Sequence, residues 1–172
     1  DDDANGYIDD WRGWDFANDD NNPSDDNGHG TQVAGIIGAE GNNNEGIAGV
    51  CWSCDMMPLK ALSSSGSGAW SDIINAVEYA KSMKARVGNL SFGAYGAAPE
   101  EAKRAFAAAN ETLWCAAAGN GELPHNGNQI GDDLDEFHFF PACLDVGHLL
   151  AVTAIDSKGQ FAEFANFGRF MV

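Results

Sequence analysis

The sequence predicts an α/β fold with three layers, a mostly parallel sheet flanked by helices. Apolar runs of strand length alternate with stretches whose apolar residues recur at helical spacing, the pattern of βαβ units. Several strand candidates are apolar nearly throughout, as strands covered on both faces are. At 172 residues, 44% hydrophobic and with ten Phe, the chain is large and apolar enough for one sizeable core.

Residues 1–27 are polar and rich in Asp, Asn and Gly, with Tyr7, Trp11, Trp14 and Phe16 interspersed; they read as loop with short strand pieces. Residues 29–39 read as a helix of small residues with Val33, Ile36 and Ile37 on one side. Its Gly30, Ala34, Gly35 and Gly38 imply close packing against other backbone. Asn42, Asn43 and Asn44 form a loop before a short strand over 47–50. A strand over 56–62 and a Ser/Gly loop over 63–68 follow. In 70–83, Ile73, Ile74, Val77, Tyr79, Ala80 and Met83 approximate helical spacing. Residues 87–92 read as a strand, in which Gly88 is a weak point. The next helix, 99–110, has Pro99 in its first turn and Glu100 and Glu101 near its positive end. A buried strand over 113–118 ends at Gly119-Asn120, a long polar loop runs to Phe140, and 149–155 form the last strand. In such folds catalytic loops gather at the carboxyl ends of strands.

Charge and composition exclude whole classes of function. Twenty-six acidic residues stand against 9 Lys+Arg, a net charge of −17, and that field repels phosphate. Neither nucleic acid nor an anionic membrane is an expected partner. No run approaches the ~18 apolar residues of a membrane span. The chain begins in an Asp cluster without Met and stops at Phe170-Met171-Val172, so both ends read as cuts. Cys51 and Cys54 have CxxC spacing, and Cys115 and Cys143 stand apart. No second ligand pair exists for a zinc site, so buried thiols or a local disulfide are expected.

The most informative stretch runs from Asp25 to Gly35. His29, between two glycines at a helix start, has backbone close on both sides and a ring free to face a cleft. Taken alone, a His in such a place is more often structural than catalytic. Yet His29-Gly30-Thr31-Gln32-Val33-Ala34-Gly35 closely resembles the histidine motif of the subtilases, commonly His-Gly-Thr-His-Val-Ala-Gly, from which only Gln32 departs. Further matches follow in order: Met57 to Leu62, Gly66-Ser67-Gly68 with Ser71 to Ile74, Asn89-Leu90-Ser91-Phe92-Gly93, Ala116 to Asn120, and Phe140-Pro141-Ala142.

The resemblance implies a partial subtilisin-like peptidase domain over 1–172, from a secreted, monomeric serine endopeptidase acting on peptides or proteins. It implies that His29 is the general base and that the Asn120 amide donates to the oxyanion. Ser67 and Gly68 would form one main-chain rail for substrate, and Ser91, Phe92 and Gly93 the other. A primary pocket would lie between 91–93 and Ala117 to Gly119. Trp70, Ile73 and Phe92 would line an outer apolar pocket, with core packing nearly as good a reading for Ile73.

Calcium is the expected cofactor. Asp1, Asp3, Asn5 and Asp9 fall at positions one, three, five and nine of an EF-hand-type loop with Gly6 at six, although Arg12 replaces the usual Glu at twelve. The resemblance adds a loop over 18–25, with Asp20, and another over 42–47, with Asn43 and the carbonyls of Glu45 and Ile47. The alternative is a solvated acidic surface.

The family's Asp-Ser/Thr-Gly and Gly-Thr-Ser-Met-Ala motifs are absent; Asp15 and Asp25 lack the context of the first. These 172 residues by themselves are therefore expected to hydrolyse nothing. Competing readings are a non-catalytic subtilase-like binding domain and a calcium-binding surface module. A metallohydrolase is weaker, since His29, His125, His138 and His148 lack ligand spacing.

Overall fold

The computed structural model describes residues 4–121 and 131–169. The chain forms two compact units, residues 1–76 and 77–172.

In the first unit, β1 (Trp14–Asp15) pairs in parallel with β2 (Leu59–Lys60), Asp15 opposite Lys60. The strand expected over 56–62 thus shrinks to two residues. Pro58 has no N–H to give a ladder, so regular pairing starts only after it. Phe16 and Ala17 then both donate to the Lys60 carbonyl, at 2.7 and 3.3 Å, which ends the register. Trp14 and Phe16 are buried, and the Tyr7 ring meets them edge-on at 4.9 and 5.8 Å.

Helix α1 (His29–Gly38) forms where the small-residue pattern predicts, but none of its residues is buried: Val33 and Ile37 are half-buried and Ile36 is exposed. Its last carbonyls find partners nonetheless. Val50 N–H donates to Ile36 O at 3.0 Å and Cys51 N–H to Ile37 O at 2.8 Å. The strand expected over 47–50 is therefore not formed, because backbone donors it would need satisfy the helix end instead. Gly49 permits this approach: a Cβ there would lie 2.6 Å from the Gly38 nitrogen. Helix α2 (Trp70–Ser82) spans the division at Ala76 and buries Ile73, Ala76, Val77, Tyr79 and Ala80.

In the second unit, β3 (Val87–Leu90), β5 (Leu113–Ala117) and β7 (Leu149–Val152) form a parallel sheet in the order β3-β5-β7. Helix α3 (Glu100–Ala108) crosses from β3 to β5 and buries Ala102, Ala105 and Phe106, one stripe at helical spacing. Pro99 is its N-cap rather than a first-turn residue. Phe106 meets Trp114 edge-on at 5.1 Å, both buried, and removing such a ring typically costs about 3–5 kcal/mol. Gly88 proves to be an accommodation rather than a weakness. It sits opposite Trp114 in the register, and an added Cβ would lie within 3.1 Å of the indole Cδ2.

Two pieces are new: β4 (Ala94–Tyr95) and β6 (Phe139–Phe140) pair antiparallel, each too short to show alternation in sequence. The Phe140–Pro141 peptide is cis. The last strand stops at Val152 rather than 155, because Ile155 instead bridges Phe161. Cys51 and Cys54 contradict the expectation of buried or bonded thiols: both are exposed and free, and Cys115 and Cys143 are half-buried and free. Burial pushes the Cys143 thiol pKa up, and the hydrogen bond shared with Cys51 does the same for Cys54. Among the described residues no helix is long and apolar enough to cross a membrane.

Candidate active site

His29 is the first residue of α1 and is exposed. Gly28 before it is left-handed (φ 97°), a conformation that glycine adopts without steric cost. The turn is held by Asp25. Its Oδ1 accepts the N–H groups of Asn27 (2.9 Å) and Gly28 (2.8 Å). Its Oδ2 accepts the N–H and hydroxyl of Thr31, both at 2.7 Å. One carboxylate thus satisfies orphan donors on both sides of His29, at the positive end of the helix. The Thr31 hydroxyl first, then the Gly28, Asn27 and Thr31 amides, hold the Asp25 carboxyl well below the usual carboxylate range. Asp25 is thereby committed to the backbone, not the ring. Sequence reasoning weighed it only as a triad acid; the available signal was an Asp a few residues before a helix start.

Asp15, the other acid weighed, is also committed. It lies 2.9 Å from Lys60 Nζ in a buried pair and accepts from Ala17, Asn18 N–H and the Asn18 amide. Burial pushes its pKa up, but the Asn18 and Lys60 hydrogen bonds prevail and hold it below the usual value. Burial pulls Lys60 down, and Asp15 together with Asp26, 3.3 Å away, raises it overall.

The 63–68 loop is tied to the His29 turn, since Asn27 Nδ2 donates to Ser64 O at 2.8 Å. Ser67 O accepts both the N–H and the hydroxyl of Ser63, each at 2.8 Å. A Cβ on Gly68 would come within 2.7 Å of Leu62 Cδ2. Trp70 is half-buried, whereas Ile73 is only 7% exposed and belongs to the core.

In the second unit, Leu90 pairs with Ala116, so Ser91 to Gly93 and Ala117 to Gly119 leave adjacent carboxyl ends of β3 and β5. The two walls assigned to the primary pocket are therefore neighbours. A residue not foreseen stands at both: Phe139 Cζ would lie 2.7 Å from a Cβ on Gly93, and its Cδ1 3.3 Å from one on Gly119. Phe139 packs with Ala118 and Leu134, and Tyr95 meets it edge-on at 5.0 Å.

Asn120 is exposed, between half-buried Gly119 and buried Gly121. Gly119 has φ 100°, and a Cβ on it would lie 2.6 Å from Asn166 Nδ2. Asn166, fully buried, is the second residue the sequence did not announce. Its one signal is an amide amid the apolar tract 161–167.

Of the calcium candidates, Asp1 and Asp3 lie outside the described residues. Asn5 accepts Tyr7 N–H at 2.7 Å and donates to Asp10, not Asp9, at 2.8 Å. Asp20 and Asn43 accept the backbone N–H two residues on, from Asn22 and Glu45. The 42–47 loop lines an open recess of about 230 Å³. Among the described residues no three His, Cys, Asp or Glu converge as a metal cage; the amide and carbonyl oxygens of the 42–47 loop are the kind of ligand calcium also takes. His125 lies outside the described residues. The His138 ring lies tilted 6.1 Å from that of Phe140, and His148 Nε2 bonds Phe106 O; among the described residues neither belongs to a metal cage.

The sequence pattern of the Subtilase family matches residues 1–171. The thermophilic serine proteinase of Bacillus sp. (strain AK1) is 37% identical over 162 residues, covering 93% of this chain and 37% of that protein. Thermitase of Thermoactinomyces vulgaris is 32% identical over 157 residues, covering 91% and 51%. Among solved structures, a protease of Pseudoalteromonas arctica PAMC 21717 superposes with a TM-score of 0.65 at 28% identity, covering 79% of this chain and 40% of its own. A lanthipeptide protease shares the fold, with a TM-score of 0.68 at 23% identity over 92% of this chain and 46% of its own. The chain thus spans about half or less of each of these proteins.

Proposed function

The chain belongs to the subtilase family, and on that premise we propose that it is part of a serine endopeptidase, supplying the histidine base and an oxyanion donor. The observation that supports this is the His29 turn, an exposed imidazole on backbone that a single carboxylate fixes from both sides. In this reading His29 takes the proton from a serine hydroxyl as it attacks the peptide carbonyl, and returns it to the leaving amine. Asn120 donates its amide to the oxyanion that forms between these steps. The serine, and the aspartate that orients His29, come from outside these 172 residues, which alone hydrolyse nothing.

Ser67 and Gly68, and Ser91 to Gly93, are proposed to bind substrate main chain as an added strand. Phe139, against both glycines of the primary pocket, favours small residues there. Phe92, half-buried just beyond β3, is proposed to offer apolar surface to a substrate side chain. Calcium stays a proposal from the spacing of Asp1, Asp3, Asn5 and Asp9, with an extracellular setting to match. At calcium one hundred times the dissociation constant, mass action adds about 2.7 kcal/mol to stability. A melting temperature equal in excess calcium and in chelator would defeat that proposal.

The deciding experiment is peptide hydrolysis by the full-length protein, with and without a serine-directed covalent inhibitor. Hydrolysis abolished by the inhibitor is expected. Peptide binding without turnover would make it a non-catalytic relative.

A further inference from the structure

We infer that Asn166 is a positioning residue for the oxyanion turn, acting with Tyr95 and Asp132; the inference rests on the peptidase reading of Asn120. Asn166 touches both neighbours of Asn120. Its backbone N–H donates to Gly119 O at 3.2 Å, and its Oδ1 accepts Gly121 N–H at 2.7 Å. The same oxygen accepts Asp132 N–H at 2.8 Å. Its Nδ2 donates to Ala118 O and to the Tyr95 hydroxyl, both at 2.9 Å.

Proton counting fixes which way the amide faces. Tyr95 has one hydroxyl proton, and it goes to the buried Asp132 carboxylate. The hydroxyl can then only accept from Asn166, so the NH₂ faces Tyr95 and the oxygen faces the two backbone N–H groups. Asp132, Tyr95 and Asn166 form a directional chain that ends on the peptide units flanking Asn120. Thr153 steadies it by donating to Asn166 O at 2.6 Å. A buried amide with all four side-chain bonds made has one geometry, and shifting it leaves donors unpaired. The turn that carries the exposed Asn120 is thereby held by Asn166 from both sides.

The test uses the full-length enzyme carrying N166A, Y95F, N120A and the N120A/N166A pair. Expected is a loss of about 10–10² in kcat for N166A with KM nearly constant, the cost of a misplaced group. Y95F, which keeps the ring packing, shows a smaller loss of the same kind and serves if N166A does not fold. In the N120A background, N166A should cost no more than about three-fold, because its effect passes through Asn120. Equal losses in both backgrounds, or a rise in KM with kcat intact, overturn the inference. Amide exchange of Gly121 and Asp132 provides the second arm: protection present in the wild type and lost in N166A is expected, and protection unchanged overturns it. Should the wild type hydrolyse nothing, the peptidase reading fails, and the exchange arm alone decides whether Asn166 fixes the turn.

Discussion

The turns bearing His29 and Asn120 both expose those side chains but are held by opposite means. At His29 the clamp is local and wet: Asp25, exposed, reaches amides two to six residues ahead. At Asn120 it is distant and dry: Asn166, fully buried, reaches amides 34 and 45 residues back. A local clamp can be replaced by water when it is lost, whereas a buried one leaves unpaired donors. Disruption should therefore be graded at the first turn and abrupt at the second.

The largest expected effect bears on the first turn. His29→Ala in the full-length protein should lower kcat on the order of 10⁶, the figure known for the histidine of a subtilisin and carried over to this chain. A loss under about ten-fold in steady-state hydrolysis would remove His29 from the chemistry. Asp25→Ala leaves the imidazole but frees its backbone, and should lower kcat by up to about 10², the penalty of misplacement. Both readouts sharpen the contrast if Asp25→Asn, which retains one acceptor oxygen, recovers part of the loss.

Two smaller effects follow. Phe139→Ala should shift the substrate profile toward larger side chains at the primary pocket, read from relative kcat/KM on a peptide series. An unchanged profile would show that the ring does not limit the pocket. The last prediction concerns pH. Asp25 and Asp15 have folded pKa values below their ordinary ones, so their stabilisation is full above about pH 4 and lost as pH falls through the lowered values. Lys60 is raised, so its stabilisation is full below about pH 10 and lost as pH rises through its raised value. Urea unfolding across pH should give a plateau between these limits, with the acid limb reduced in Asp25→Asn.

The contrast also explains what could be read from sequence. The α1, α2 and α3 helices and the β3, β5 and β7 strands were legible because periodicity and apolar runs are local properties. His29 and Asn120 were proposed as site residues through short motifs. The two-residue strands at 94–95 and 139–140 were not, being shorter than any period. Residues 47–50 misled because apolar residues suggested a strand, while their backbone donors serve the end of α1. Asn166 and Phe139 could not be found from spacing at all, since only tertiary packing brings them to Gly119, and Tyr95 matters only through its contacts with these two.

Helix α1 carries no buried residue and is held by Asp25 at one end and by the Val50 and Cys51 amides at the other. Its opening would therefore expose little new apolar surface and carry little heat-capacity change. Cooling, which weakens apolar cores, should leave this helix nearly untouched. His29, the proposed base, would then sit on a helix that cold affects little.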